Sequence, residues 1–110
     1  MYERKIRDDC IRCMSDLIIL GVVHMEPAHA YKIRKIVLEK FGVALYPGNF
    51  YPKLSRLEKN CIIKGKWITE NHRKKKVYNL TPYGEKLFKD LVDNCLITIY
   101  NGIIKRLEER

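Results

Sequence analysis

The sequence lacks an apolar run able to cross a bilayer: the longest, Leu17 to Val23, is seven residues and includes Gly21, against the ~18 that a spanning helix needs. A membrane partner is therefore not expected. No internal repeat and no Pro-rich or Gly/Ser-rich stretch divides the chain, and 110 residues are too few for two independent cores. The four cysteines, Cys10, Cys13, Cys61 and Cys95, are too few and too unevenly spaced for the disulfide framework of a small secreted protein. Met1 to Asp16 lacks the basic, apolar, small-residue order of a signal peptide, which makes a cytoplasmic protein the expectation. Catalytic apparatus is missing as well. There is no Gly-x-Ser-x-Gly, no Walker loop and no His-Glu-x-x-His, and the only serines are Ser15 and Ser55. Neither an enzyme nor a cofactor is expected. Cys10 and Cys13 put two sulfurs on one helical face, but no second pair completes a zinc set, so no metal is expected. Packing in the core or an interface is their expected role, with a disulfide or metal shared across a dimer as the alternative. His24, His29 and His72 have no ligand spacing, and a structural or capping role fits His29 better than metal binding.

Acidic residues are also scarce, 13 against 22 Lys and Arg, and the excess is concentrated. Residues 53 to 76 hold nine bases and only Glu58 and Glu70 as acids, so +7 of the net +9 lies in under a quarter of the chain. A hydrophobic fraction of 46% and a charged fraction of 32% describe a chain that folds. Charge gathered on one part of a folded domain marks a face for a polyanion.

Apolar spacing defines the elements. Ile6, Cys10, Cys13, Met14, Leu17, Ile18 and Val22 recur at three or four, which predicts a first helix over roughly 3–23. Ala30, Tyr31, Ile33, Val37 and Phe41 predict a second, closed by Gly42 as a left-handed cap. Pro47-Gly48 opens a third, with Phe50, Leu54 and Leu57 inward and Asn49, Pro52, Arg56 and Lys59 outward, Ser55 and Lys53 at the margins. Two short β-branched and aromatic runs, around Trp67 and Tyr78, flank a polar segment and predict a hairpin with a basic tip. Thr81-Pro82 starts the last helix. Its apolar positions keep close to a 3.5-residue repeat over 30 residues, ~45 Å, more than three short helices and a hairpin can cover. Asn101-Gly102 is a candidate break. The fold class is thus mainly α with a small β hairpin (α+β), a winged helix-turn-helix over residues 1–80 followed by a long C-terminal dimerisation helix over 81–110. Helix 1 shares the dimer interface.

The stretch Leu17 to Phe88 resembles the PadR family of winged helix-turn-helix transcriptional regulators. Glu26-Pro27-Ala28-His29-Ala30-Tyr31-Lys32-Ile33 resembles that family's opening of helix 2. Pro47-Gly48-Asn49-Phe50-Tyr51-Pro52-Lys53-Leu54-Ser55-Arg56-Leu57-Glu58 resembles its most specific segment, and Tyr78-Asn79-Leu80-Thr81-Pro82-Tyr83-Gly84 its exit from the wing. Asn60-Cys61 stands where the family has a Glu-Gly-like turn, and Tyr46 where a capping Ser is common. The resemblance implies a dimer built through the C-terminal helix together with helix 1, of the short class that ends in a single helix. With the charge map, the expected function is a homodimeric regulator bound to double-stranded DNA at a palindromic operator and acting as a repressor. The expected DNA-binding residues are Asn49, Tyr51, Lys53, Ser55, Arg56 and Lys59 on helix 3, and Arg73, Lys74, Lys75 and Lys76 on the wing. Strand alternation prevents all four wing bases from facing DNA together. The expected dimer interface holds Met14, Phe88, Val92, Cys95, Leu96, Ile99, Ile103 and Leu107. A protein-interaction module is the alternative, and a redox or small-molecule sensor on the same frame, with Met14, Cys95, Leu96 and Tyr100 lining its pocket, stays open.

Overall fold

The structure is a computed structural model, and it describes residues 1–109. Helix α1 (Tyr2–Met25) is followed by a two-residue strand β1 (Ala28–His29), α2 (Ala30–Phe41), α3 (Pro47–Lys59), the hairpin β2 (Ile63–Glu70) and β3 (Arg73–Leu80), and α4 (Pro82–Leu91). From α4 the helix continues through a π-helical stretch (Val92–Leu96), an α-helical one (Ile97–Ile99), a second π-helical stretch (Tyr100–Ile104) and a last α-helical turn (Lys105–Glu108). Every junction residue keeps right-handed helical angles. Asn101-Gly102 therefore does not break the helix. The turn widens there instead, as π-helical bonding from i to i+5 requires.

The core is small and sits where the first three helices meet the sheet. Ile19, Leu20, Val22 and Val23 of α1, Ile33 and Val37 of α2, Phe50, Leu54 and Leu57 of α3, and Ile63 of β2 are all buried. All of these α1 residues lie in its second half. With 24 residues the helix is about 36 Å long; in its N-terminal half only Ile11 packs against the core, and Ile6, Cys10, Cys13 and, just beyond, Met14 are exposed. Core packing of Cys10 and Cys13 is thereby excluded within the single chain.

Local chemistry fixes the ends. His29 caps α2 through Nδ1, which accepts the Lys32 N–H at 3.1 Å, and Gly42 closes it at φ 67°. Arg34 Nε donates to the Leu45 carbonyl at 2.8 Å, holding the turn between α2 and α3. Tyr46 gives α3 no side-chain cap; Pro47 at the first position suits an end whose N–H groups lack helical partners.

The far end of α3 closes in a Schellman arrangement. The Cys61 N–H donates to the Glu58 carbonyl and the Ile62 N–H to the Leu57 carbonyl. Cys61 consequently sits at φ 59°, a left-handed position that favours glycine. Cys61→Gly is therefore expected to raise stability by about 0.5–1 kcal/mol, the relief of Cβ strain outweighing glycine's extra chain entropy. Urea unfolding with an unchanged slope checks it.

Asn71 and His72, at φ 51° and 63°, form the two-residue turn whose twist matches a hairpin. Cross-strand pairs run from Ile63 with Leu80 to Glu70 with Arg73. The sheet has three strands, in the order β1-β3-β2, where the sequence suggests two. Ala28 and His29 pair with Tyr78 and Val77, tying the entry to α2 to the root of the wing. At the other edge Thr81 caps α4 by accepting the Gly84 N–H at 2.9 Å and donates its hydroxyl to the Cys61 carbonyl.

Candidate nucleic-acid interface

Helix α3 presents two flanks around its outer surface. Tyr51, Ser55 and Glu58, spaced at i, i+4 and i+7, form the flank toward the hairpin, because Glu58 is bonded into it. Its Oε2 accepts the Gly65 N–H at 3.0 Å and its Oε1 meets the Lys76 ammonium at 2.8 Å. Asn49, Lys53 and Arg56 form the other flank. They border an open groove of about 1050 Å³ shared with Arg4, Asp8 and Arg12 of α1. Gly48, Pro52 and Lys59 are exposed between the flanks.

The expected DNA-binding residues thus divide. Asn49, Tyr51, Ser55, Arg56, Lys59, Arg73 and Lys74 are exposed. Lys53 is not free: its side chain is 18% exposed and its ammonium lies 2.7 Å from Asp16 Oδ1 on α1. Lys75 lies 3.9 Å from Glu70. Register settles which wing bases share a face. Gly65, Trp67 and Thr69 stand opposite Tyr78, Lys76 and Lys74, and this face turns toward α3 because Gly65 and Lys76 meet Glu58. Arg73 and Lys75 point to the other side.

Lys76 braces the wing rather than reaching outward. Its ammonium lies between Glu58 and the rings of Trp67 and Tyr78, 5.9 and 5.6 Å from their centroids. The bond from Lys76 holds the Glu58 carboxyl below its ordinary range, with the Gly65 N–H assisting, and the same bond pushes the Lys76 ammonium up. Burial pushes the Tyr78 phenol up. The contribution of Glu58 to stability is present above the ordinary carboxylate range and is lost as pH falls through its depressed value. That of Lys76 is present below the ordinary lysine range and is lost as pH rises through its raised value. Glu58→Gln should flatten both limbs of the melting temperature against pH; an unchanged acid limb would show that the pair contributes nothing. Neither this brace nor the Lys53–Asp16 pair has a signal in local sequence, since each joins residues far apart in the chain.

Along the expected dimer interface, Met14, Cys95, Leu96, Ile99, Ile103 and Leu107 are exposed. Phe88 and Val92 are half-buried. Phe88 packs against the core within the chain, close to Gly21 and 4.9 Å from the His24 ring. The cavity at that seam, about 380 Å³, is lined by His24, Glu85, Lys86, Phe88, Lys89 and Val92. None of Met14, Cys95, Leu96 and Tyr100 borders it. Among the described residues no three His, Cys, Asp or Glu side chains are grouped to hold a metal, and no helix is long and apolar enough to cross a membrane.

Three helices, of which the second and third form a helix-turn-helix, followed by a hairpin braced against the third and carrying its charge, define a winged-helix DNA-binding regulator. Solved structures agree with that class. A transcriptional regulator from Clostridium thermocellum is 28% identical, with a TM-score of 0.74 over 89% of this chain and 96% of its own. A PadR-like transcriptional regulator from Bacillus cereus, 19% identical, shares the fold with a TM-score of 0.75 over 93% of this chain and 98% of its own. Bacillus subtilis PadR, solved in complex with operator DNA, is 25% identical, with a TM-score of 0.62 over 69% of this chain and 44% of its own. Comparison with curated protein sequences gives no match. The transcriptional regulator PadR-like family matches residues 19–90, and the chain belongs to that family. It is a DNA-binding transcriptional regulator and not an enzyme.

Proposed function

We propose that the chain is a homodimeric, sequence-specific regulator that recognises a palindromic operator in double-stranded DNA and represses by occupying it. The observation that carries this reading is the segregation of charge, with +7 of the net +9 between residues 53 and 76, on the two elements that a winged helix directs at DNA. The Bacillus subtilis relative bound to operator DNA supports the same partner. In this reading α3 enters the major groove. Asn49, Ser55 and Arg56 approach base edges and phosphates, Tyr51 borders the wing side and Lys59 the far end. Lys53 reaches DNA only by exchanging Asp16 for it. Arg73, Lys74 and Lys75 meet the backbone, and Lys76 keeps the wing at its angle.

Residues 1–80 act as the DNA-binding unit and 81–110 as the dimerisation helix, with α1 contributing to the interface. Exposed Leu96, Ile99, Ile103 and Leu107 support a second copy as the occupant of that helix. So does a radius of gyration of 15.7 Å, against about 13 Å for a compact chain of this length.

Selection of bound duplexes from a random pool, followed by the mass of the complex, tests the proposal: a palindrome holding two chains is expected, and an asymmetric site holding one overturns it. Salt titrations separate the wing bases. Lys74→Ala should lower the dependence of log affinity on log salt by about 1 for its one lost phosphate contact, equally for all sequences. Lys76→Ala should leave that slope nearly unchanged and lower the melting temperature.

A further inference from the structure

Trp67 is the single tryptophan of the chain, and it stands on the wing with 66% of its surface exposed. It is not a core residue displaced outward. Strand register sets it on the face that turns toward α3, directly opposite Lys76 and two cross-strand pairs from Thr69 and Lys74, which share that face. One side of the ring is occupied by the Lys76 ammonium, itself held by Glu58. The Glu58–Lys76 brace therefore does two things. It neutralises the base nearest the indole, and it limits the positions the ring can take. The indole N–H has no hydrogen-bond partner among the described residues. Tyr51 and Ser55 are exposed on the flank of α3 toward which this face turns, and Lys74, on the same strand face as Trp67, is exposed and able to draw in phosphate.

Resting on the reading of this chain as a DNA-binding regulator, we propose that Trp67 is itself a DNA contact. Its indole lies against the sugar-phosphate backbone that passes between the wing and α3, with Nε1–H donating to a phosphate oxygen and the ring covering a deoxyribose. The chemistry suits the place. Indole offers a large rigid apolar face and one donor and loses little side-chain freedom on binding. A contact of this kind positions the duplex without reading its sequence. It also releases no counterion, so it differs from the lysine contacts in a measurable way.

Because the chain has one tryptophan, its emission reports on this residue alone. The experiment uses the full chain with a mixed-sequence duplex at low salt. Binding is followed by anisotropy of the labelled duplex, and exposure of Trp67 by acrylamide quenching. At saturation the quenching constant should fall at least twofold. Trp67→Phe, which keeps a smaller aromatic face and removes the donor, should weaken binding severalfold, and Trp67→Ala about tenfold, both with the salt slope of the parent chain. Unaltered far-UV circular dichroism of Trp67→Phe shows that the hairpin survives. Binding by anisotropy with unchanged quenching and wild-type affinity in both variants overturns the proposal and leaves the DNA-binding reading intact. Absence of binding to the duplex removes both. Protection of Trp67 before DNA is added, at concentrations where the chain self-associates, would assign the indole to a protein interface and also overturn it.

Discussion

Replacing Gly84 by alanine is expected to destabilise the protein more than any other single-methyl change, by on the order of 3 kcal/mol, because the added carbon has no space to enter. A Cβ at this position would fall on the carbonyl oxygen of Ile62, a backbone atom that cannot rotate away. That carbonyl already accepts the Thr81 N–H at 3.1 Å, and Gly84 itself donates to the Thr81 hydroxyl. Moving either strand or helix therefore breaks the cap that joins wing to α4. The melting temperature should fall by about 12 °C or more on the usual scaling for a domain of this size. Gly102→Ala supplies the control. Nothing lies within 4 Å of its added carbon, and alanine's better helix propensity should stabilise by up to ~1 kcal/mol. Equal losses in the two variants would show that close approach at Gly84 is not the cause.

The second large effect concerns the distal helix. Ile99 and Ile103 are 51% and 59% exposed in the single chain. If a second copy covers them, aspartate at both places two unpaired charges in an apolar interface, and the dimer should dissociate. The measurable consequence extends to DNA. With two half-sites no longer engaged together, affinity for a selected palindrome should fall 10²-fold or more, while affinity for a single half-site changes little. Equilibrium sedimentation and the two titrations read this directly. A doubly substituted chain that remains dimeric would place the interface elsewhere.

Much of this architecture is legible in the sequence because its signals are local. Gly42 after the last inward residue of α2, Pro47 at the start of α3 and Thr81-Pro82 before α4 are end markers with one mechanical meaning each. The hairpin is legible from its two β-branched runs, and the family from the segment Pro47 to Glu58. What escapes the sequence is what depends on distance. Strand β1 is two residues long and directly precedes a helix, too short for alternation to show. Lys53 looks like a free base until α1 brings Asp16 beside it. Lys76 looks like one of four equal wing cations until Glu58, far away in the sequence, pairs with it. The apolar stripe of α1 also misleads in part: Ile6, Cys10 and Met14 carry the right spacing, but the row that meets the core at this end of the helix is Ile11, Ser15 and Ile19.

The two widened turns of the distal helix bear on how anything can lie along it. A repeat near 3.5 residues, taken on an α-helix of 3.6, would make a stripe that drifts slowly round the rod and asks for a left-handed rope. In Val92–Leu96 and Tyr100–Ile104 each residue advances by less than an α-helical step, since bonding runs to i+5. The phase slips backward. Residues four apart, Val92, Leu96, Tyr100 and Ile104, then fall closer to one straight rank than a heptad would put them. If a second copy lies along this helix, such a rank would suit a short crossing contact, with the grip in a few side chains, better than two long coiled strands.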